Sequence, residues 1–423
     1  MDQLSVELVE LIYKQLDDPT SLAFRAVSRR LYRATFDSFT QRWFATLRTD
    51  FTLDSLSRLS CISQDRDLAS RVRCLRIDRH EGRLTPVWLT WPLSNGEAKI
   101  FDQPCARRES GPLDLDSPQA KTMREMLLRF AHCNEICVTD GFRSRFWDQP
   151  PPGELSPIDI CWLMLSLLGG DGGLQIERFE LDFERNPIEK TDSWPSGPEL
   201  CTCLSQSSWA THLRQLSISL EFKESLLEVM IPLVTTAAQL KSLTLCHWGY
   251  SEVDAFFSRI SCAPQVPALS ELRLAGCNQA SPAVLPRFIA RFQTTLESLY
   301  IRSVSVAGGT IGGVLGHLAN LDWPALTCIT VPGCYREFFC RFLFNKQAMD
   351  QCGDGFEFTL RNFREKTRVD GVRYRGYGDD IKVALSAFGG SYKMPGKDPG
   401  PEIPAIDSSV GFRVGRVVKR QLA

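Results

Sequence analysis

Leu269-Ser270-Glu271-Leu272-Arg273-Leu274 places leucine at its first, fourth and sixth positions. An equivalent apolar pattern begins at Leu213, Leu240, Leu296 and Leu326, so successive copies start 27, 29, 27 and 30 residues apart. Because 43% of the chain is hydrophobic, five such matches in regular succession would arise by chance with a probability of roughly 3 × 10⁻⁶. The pattern therefore predicts a repeated structural unit in the middle of the chain.

Less regular copies of the pattern precede this array. They begin at Val72, Cys133 and Ile176, and their wider spacing implies insertions between the repeats. The largest insertion lies near residues 79–116 and is rich in Pro, Gly and Arg, which favours a loop.

Helix signals lie between the predicted strands. Ser117-Pro118, Ser156-Pro157 and Ser281-Pro282 each place an N-cap residue before a proline, which suits the first helical turn. Ser251 and Asp254 have the spacing of a capping box. A strand and a helix that alternate at a fixed period form right-handed crossovers and a parallel sheet. We therefore predict an α/β fold.

The period and the Leu-x-x-Leu-x-Leu core resemble those of leucine-rich-repeat proteins, whose units run at about 20–29 residues. The resemblance implies a horseshoe, a right-handed β-α solenoid with strands inside and helices outside. Residues between the apolar positions of each strand then point to the concave face. This face is expected to bind a protein target, because Tyr and Arg are enriched at hot spots; the alternative is that most of it is only solvated. The candidate target-binding residues are Arg178, Glu180, Asp182, Gln215, Ser217, Thr244, Glu271, Arg273, Tyr300 and Arg302.

The N-terminal residues carry a different periodicity. Leucine or isoleucine recurs at every fourth position from Leu4 to Leu16, which predicts one apolar ridge on a helix. Ser5 is its expected N-cap, and Asp17-Asp18-Pro19 is expected to end it. A second helix is expected from Thr20 or Ser21, and a third over 31–43. Three short helices bury little surface, so the ridge is expected either to bind a partner or to cap the rest of the chain.

Two of these segments resemble the halves of an F-box. They are LSVELVELIYKQLD over 4–17 and LAFRAVSRRLY over 22–32, with Ser5 and Leu31 where the family more often has Pro and Trp. The resemblance implies docking onto the Skp-type adaptor of a Skp–cullin–F-box ubiquitin ligase. The adaptor-binding residues that it implies are Leu4, Glu7, Leu8, Ile12, Leu16, Leu22, Val27 and Arg30.

The predicted domains follow from these two resemblances. The small all-α F-box occupies 1–45, and a helical bridge over 46–70 resembles the join found in a fungal group of F-box proteins. The leucine-rich repeats occupy 71–335. A C-terminal cap and a partly flexible tail follow over 336–423, with a helix expected at Arg336–Phe344 and a strand at Phe356–Phe363.

Composition argues against several other classes of protein. Lys plus Arg is 49 and Asp plus Glu is 50, so there is no basic excess of the kind that nucleic-acid binders show. Fifteen scattered cysteines do not resemble a disulfide framework. The N-terminus lacks the basic region of a signal peptide, and the longest apolar run, Ile160–Leu168, is too short to span a bilayer. We expect a cytoplasmic or nuclear protein, or one found in both, that binds neither nucleic acid nor membrane.

No catalytic constellation is recognisable. The five histidines lie in no nucleophile motif, and Cys201, Cys203 and His212 fall short of the four ligands that structural zinc needs. Gly308–Gly313 lacks the lysine of a phosphate-binding P-loop. We therefore expect no catalytic residue, no metal and no cofactor.

The predicted function is that of a non-catalytic, substrate-recognition subunit of a ubiquitin ligase. The F-box would bind the adaptor and, through it, the cullin ligase, and the repeats would bind a protein target. One alternative is an interaction scaffold unrelated to ubiquitin. A second is an enzyme that binds a nucleotide at the Gly308 loop.

Overall fold

Strands and helices alternate along most of the described chain. The computed structural model describes residues 4–50, 53–78, 115, 117–139, 157–167, 173–183, 197–205, 207–220, 224–246, 253–277, 280–307, 311–332, 356–363, 366–376, 381–386 and 418–419. The chain divides into two compact units. The first comprises residues 1–180, 192–195 and 206–209, and the second comprises 181–191, 196–205 and 210–423. The predicted insertion and the predicted helix over 336–344 lie outside the described residues, apart from 115.

The first unit begins with four short helices, α1 (Val6–Gln15), α2 (Asp18–Ala26), α3 (Arg29–Ala34) and α4 (Phe36–Trp43). Ser5 accepts a hydrogen bond from the Leu8 backbone N–H at 3.4 Å, which confirms it as the N-cap of α1. Asp17 caps α2 at 2.9 Å from the Thr20 N–H, so α2 begins before the predicted start at Thr20 or Ser21. The predicted third helix is two helices, because the backbone of Thr35 leaves the helical conformation between them.

A parallel sheet follows in the first unit. Its strands are β1 (Thr46–Thr49), β2 (Cys74–Asp78) and β3 (Glu135–Thr139), with Leu47 opposite Leu75 and Leu75 opposite Ile136. Strand β1 lies within the segment predicted as a helical bridge, which also holds α5 (Leu53–Gln64) and α6 (Arg66–Ala69). The guanidinium of Arg58 on α5 donates to the carbonyl oxygen of Arg48 on β1. Helices α7 (Pro118–Leu128) and α8 (Pro157–Leu167) follow β2 and β3, and β4 (Arg178–Asp182) begins in this unit.

The second unit contains five parallel strands in chain order, which pair so that Leu216, Leu243, Leu272, Leu299 and Ile329 lie side by side. An antiparallel strand, β11, then pairs with β9. The eight strands that the apolar pattern predicts all coincide with β2 to β9, and the strand predicted over Phe356–Phe363 is also confirmed. The fold is α/β with a mostly parallel arrangement, which is compatible with a solenoid. The elements are α9 (Gly197–Ser205), α10 (Ser208–His212), β5 (Gln215–Ser219), α11 (Glu224–Thr235), β6 (Ser242–Cys246), α12 (Val253–Cys262), β7 (Glu271–Ala275), α13 (Val284–Ala290), β8 (Ser298–Arg302), α14 (Ile311–Ala319), β9 (Cys328–Pro332), β10 (Phe356–Phe363), β11 (Lys366–Arg375), α15 (381–386) and β12 (Val418–Lys419).

The core of the second unit lies between its strands and its helices. Leucines of the strand pattern, such as Leu272 and Leu274, have no exposed surface. The helices contribute aromatic rings, and those of Phe257 on α12 and Phe288 on α13 stack with 4.4 Å between their centroids. Ser117 caps α7 as predicted. Ser281 does not cap α13, because its hydroxyl accepts from the Ala283 N–H and the helix begins only at Val284.

The turns after β7 and β8 contain a backbone feature that a mutation can test. Gly276 and Ser303 each follow the last residue of a strand and have φ of 65° and 49°. A non-glycine residue in this left-handed region destabilises the fold by roughly 1–2 kcal/mol. Substituting glycine removes this strain, but part of the gain in stability is lost because glycine has more conformational freedom in the unfolded chain. We expect Ser303→Gly to raise the free energy of unfolding by about 0.5 kcal/mol.

The measurement is the urea midpoint of the full chain, with Gly276→Ser as the matched reverse change. That substitution should lower the midpoint, since it places a side chain on the left-handed backbone. A lower midpoint for Ser303→Gly would show that the serine side chain stabilises the fold by more than the strain of the left-handed backbone destabilises it.

Candidate protein-docking surfaces

The N-terminal helices expose some large apolar side chains and bury others. On α1, Val9 and Tyr13 are each 1% exposed, whereas Leu8 and Leu11 are 49% and 58% exposed. The exposed ones form what we call the docking face: Val6, Leu8, Leu11, Ile12, Val27 and Tyr32. The other large apolar side chains whose burial the structure describes are buried or half-buried.

The predicted adaptor-binding residues divide between this face and its margins. Leu8, Ile12 and Val27 belong to the docking face, and Glu7 and Arg30 are exposed. Leu4, Leu16 and Leu22 are half-buried. Arg30 Nη2 donates to the carbonyl oxygen of Leu4 at 2.5 Å, so this arginine also fixes the start of α1. Hydrogen bonds from its own backbone N–H and from Ser5 lower the pKa of Glu7.

The prediction omitted three members of the docking face from the binding residues, namely Val6, Leu11 and Tyr32. Leu11 widens the apolar stripe and was therefore detectable from the sequence. The exposure of Val6 and Tyr32 depends on how the helices pack, which the periodicity of one helix does not define.

A buried arginine holds the docking face in place. Arg25 is 5% exposed, and its Nη1 donates to the carbonyl oxygen of Tyr32 at 3.2 Å and to Thr35 Oγ1 at 3.0 Å. Its guanidinium carbon lies 4.2 Å from the ring centroid of Tyr32 and 3.8 Å from that of Phe39, as in cation–π contacts. Burial lowers the pKa of Arg25. Arg25 therefore ties α2 to α3 and α4, a role that its sequence context did not indicate.

On the strand face of the first unit, charged side chains neutralise one another. Arg76 and Asp78 form an ion pair at 2.9 Å, and Thr139 Oγ1 donates to the same aspartate at 2.6 Å. Arg178 and Glu180, both predicted to bind the target, pair with each other at 3.1 Å. Between these groups on the same sheet, burial raises the pKa of the Cys137 thiol to about 12, so this cysteine is an unreactive thiol rather than a nucleophile.

In the second unit, strand register brings most of the other predicted target-binding residues onto one face. Ser217, Thr244, Arg273 and Tyr300 are consecutive partners across β5 to β8, and Gln215 and Glu271 each pair with Ser242. Their strand neighbours on the opposite face are buried leucines and isoleucines, which confirms the predicted alternation.

The polar groups of this face interact with one another around β7. Glu271 accepts hydrogen bonds from Arg273 Nε at 2.7 Å and from Ser242 Oγ at 2.8 Å. The guanidinium carbon of Arg273 lies 5.8 Å from the ring centroid of Tyr300. Arg302 is exposed at the end of β8, and Asp182 is half-buried at the end of β4. The face therefore offers an aromatic ring and several hydrogen-bonding groups to a ligand.

Two sites considered for other chemistry can be placed only in part. Residues 308–310 of the glycine loop lie outside the described residues, and α14 begins at Ile311. Cys201 and Cys203 are half-buried on α9, and His212 ends α10. Among the described residues, no group of three or more His, Cys, Asp or Glu side chains is arranged to hold a metal ion.

Within the described ranges, every helix is too short or too polar to cross a membrane. Comparison with known protein families finds no family model that matches the chain, and a search of curated proteins finds no significantly similar sequence.

Proposed function

We propose that this chain is the substrate-recognition subunit of a Skp–cullin–F-box ubiquitin ligase. The N-terminal helices act as an F-box that binds the Skp-type adaptor, and the strand–helix units form a leucine-rich-repeat horseshoe that holds a protein target in the cytoplasm or nucleus. The chain itself performs no chemistry, since its role is to bring the target close to the transferring subunits.

One observation carries this proposal: the exposed large apolar side chains of the described residues all lie between residues 6 and 32. Exposed large apolar side chains gathered in one short part of a chain favour a binding site for another protein. Leu8, Leu11 and Ile12 follow the i, i+3, i+4 spacing by which an amphipathic helix fits a hydrophobic groove. Glu7 and Arg30 supply the charged rim that surrounds such interfaces.

The test is a binding measurement between the full chain and the purified Skp-type adaptor. We expect Leu8→Asp and Ile12→Asp each to weaken binding by about 30-fold or more, because a charge replaces an anchor worth about 2 kcal/mol. Both side chains are already 40–49% exposed in the free chain, so its folding should change little.

Lys14→Asp is the matched control, since it introduces the same residue on the same helix outside the docking face. It should leave adaptor binding within about threefold of the unmodified chain. Failure of the unmodified chain to bind the adaptor would contradict the proposal and favour an interaction scaffold unrelated to ubiquitin. Binding that withstands both docking-face variants would contradict the assignment of that face.

A further inference from the structure

The strand faces of the two units differ in how their arginines are partnered. In the first unit, Arg76 pairs with Asp78 at 2.9 Å and Arg178 pairs with Glu180 at 3.1 Å. In the second unit, Arg273 pairs with Glu271 at 2.6 Å. Arg302 and Arg375 are exposed there, and neither guanidinium forms an ion pair or hydrogen bond with any residue that the structure describes. The second face therefore presents positive charge that the fold itself does not use.

Register and burial place Arg375 on the same face as Arg302. On β11, Tyr374 pairs with Ile329 of β9, and both side chains lie in the core. Arg375, the next residue, therefore points away from the core, as Thr330 does on β9. Thr330 is in turn the partner of Tyr300, which lies two residues before Arg302 on β8.

The spacing of these arginines suits an extended segment of polypeptide. From strand spacing and rise, the Cα atoms of Arg302 and Arg375 are about 16 Å apart across β8, β9 and β11. An extended chain covers that distance in about five residues. The ring of Tyr300 lies beside Arg302 on the same strand, where it can contact the apolar part of such a segment.

The two described acidic residues predicted to lie on this face are Glu271 and Asp182. Glu271 already accepts from Arg273 and from Ser242. Asp182 lies on β4, four strands from β8 in the strand order.

We propose that the strand face of the second unit, the face carrying Tyr300, Arg302 and Arg375, binds an acidic segment of the target protein whose Asp and Glu carboxylates contact Arg302 and Arg375. The proposal rests on the proposed function in taking the ligand to be a protein target. Guanidinium groups bind carboxylates through two parallel hydrogen bonds, which gives such contacts direction as well as charge. The first face serves less well, because its arginines would have to break existing ion pairs.

The probe for the test is a phage-displayed library of random 12-residue peptides, selected on the immobilised full chain. We expect the selected peptides to be enriched in Asp and Glu, with two acids about five residues apart. The consensus peptide, labelled with fluorescein, then gives dissociation constants by anisotropy. Arg302→Ala and Arg375→Ala should each weaken its binding about tenfold, whereas Arg287→Ala, the control at an exposed arginine on helix α13 of the same unit, should leave it unchanged.

Several outcomes would overturn the proposal. They are selection without enrichment in acids, absence of any selected sequence, and binding that persists in the Arg302→Ala, Arg375→Ala double variant. Higher salt should weaken the interaction, because these charges are exposed and therefore screened.

Adaptor binding by the same arginine variants separates the two proposals. Arg302→Ala should bind the Skp-type adaptor normally, since residue 302 lies in the second unit and the docking face in the first. Acidic peptides that bind a chain with no affinity for the adaptor would retain this inference and contradict the ligase role. Adaptor binding without peptide binding would do the opposite.

Discussion

Phe288→Ala should lower the local free energy of unfolding of the second unit by about 3–5 kcal/mol, as expected for truncating a buried phenylalanine. The side chain of Phe288 has no exposed surface and contacts three other rings. Its centroid lies 4.4 Å from that of Phe257, 5.5 Å from that of Phe292 and 6.4 Å from that of Phe256. Removing it leaves a cavity between α12 and α13 that these rings, fixed on their own helices, fill only in part.

Hydrogen exchange of the β7 and β8 amides measures this effect, because it reports unfolding of one region without assuming a two-state transition for the whole chain. Protection should fall by about 10²-fold to 10⁴-fold. Phe288→Leu should lower the local free energy of unfolding by less, since leucine retains most of the side-chain volume. Arg287→Ala should change that free energy by less than about 0.5 kcal/mol, because Arg287 is exposed on the same helix. Similar effects of the alanine changes at 287 and 288 would contradict the packing role of the ring.

Arg25→Ala should unfold the N-terminal helices locally, at a cost of about 3 kcal/mol or more. The change removes the donor to Tyr32 O and Thr35 Oγ1 and the cation that lies between two aromatic rings. It also empties the space between α2, α3 and α4. Because these helices carry the docking face, adaptor binding should fall together with their hydrogen-exchange protection.

Arg25→Met distinguishes the charge from the packing. Methionine fills part of the space without a charge to desolvate, and hydrophobic replacement of a buried ionic group is often well tolerated. Arg25 Nη2 and Tyr13 Oη are buried and have no hydrogen-bond partner among the described residues, so part of the polar character of this core is unsatisfied. We expect Arg25→Met to be intermediate and Arg33→Ala, an exposed arginine on α3, to have little effect. A methionine variant as unstable as the alanine variant would show that the hydrogen bonds decide stability.

The strand positions were predictable because the apolar pattern repeats. Equivalent residues of successive repeats pair with one another, as Leu272 does with Leu243. The spacing of the repeats in the sequence therefore predicts the register of the strands. Strand β1 was missed because its four residues alternate Thr46, Leu47, Arg48 and Thr49, too short an apolar signal to detect. Arg375 was missed for another reason, because β11 runs antiparallel to β9 outside the repeat period.

The outline of the docking face was predictable from the sequence, but the buried contacts that hold it in place were not. Periodicity identified the stripe that contains Leu8 and Ile12, and exposure confirms that this stripe faces outward. Tyr13 and Val9 pack inward, and nothing in their spacing distinguishes the buried side of such a helix from the open one. The burial of Arg25 depends on contacts with Tyr32 and Phe39, which only the packing of three helices creates.

The hydrogen bond between Arg58 and the Arg48 carbonyl also affects how copies of the protein meet. Strand β1 is first in the order of the described strands, and among these it pairs with β2 alone. An open edge of this kind is a template on which a second chain can add a strand and begin a fibre. With its carbonyl oxygen already accepting from Arg58, Arg48 offers an incoming strand one acceptor fewer, and its own charged side chain opposes close approach of an identical edge. We therefore expect the contact to make this edge a poorer template for pairing between copies of the protein.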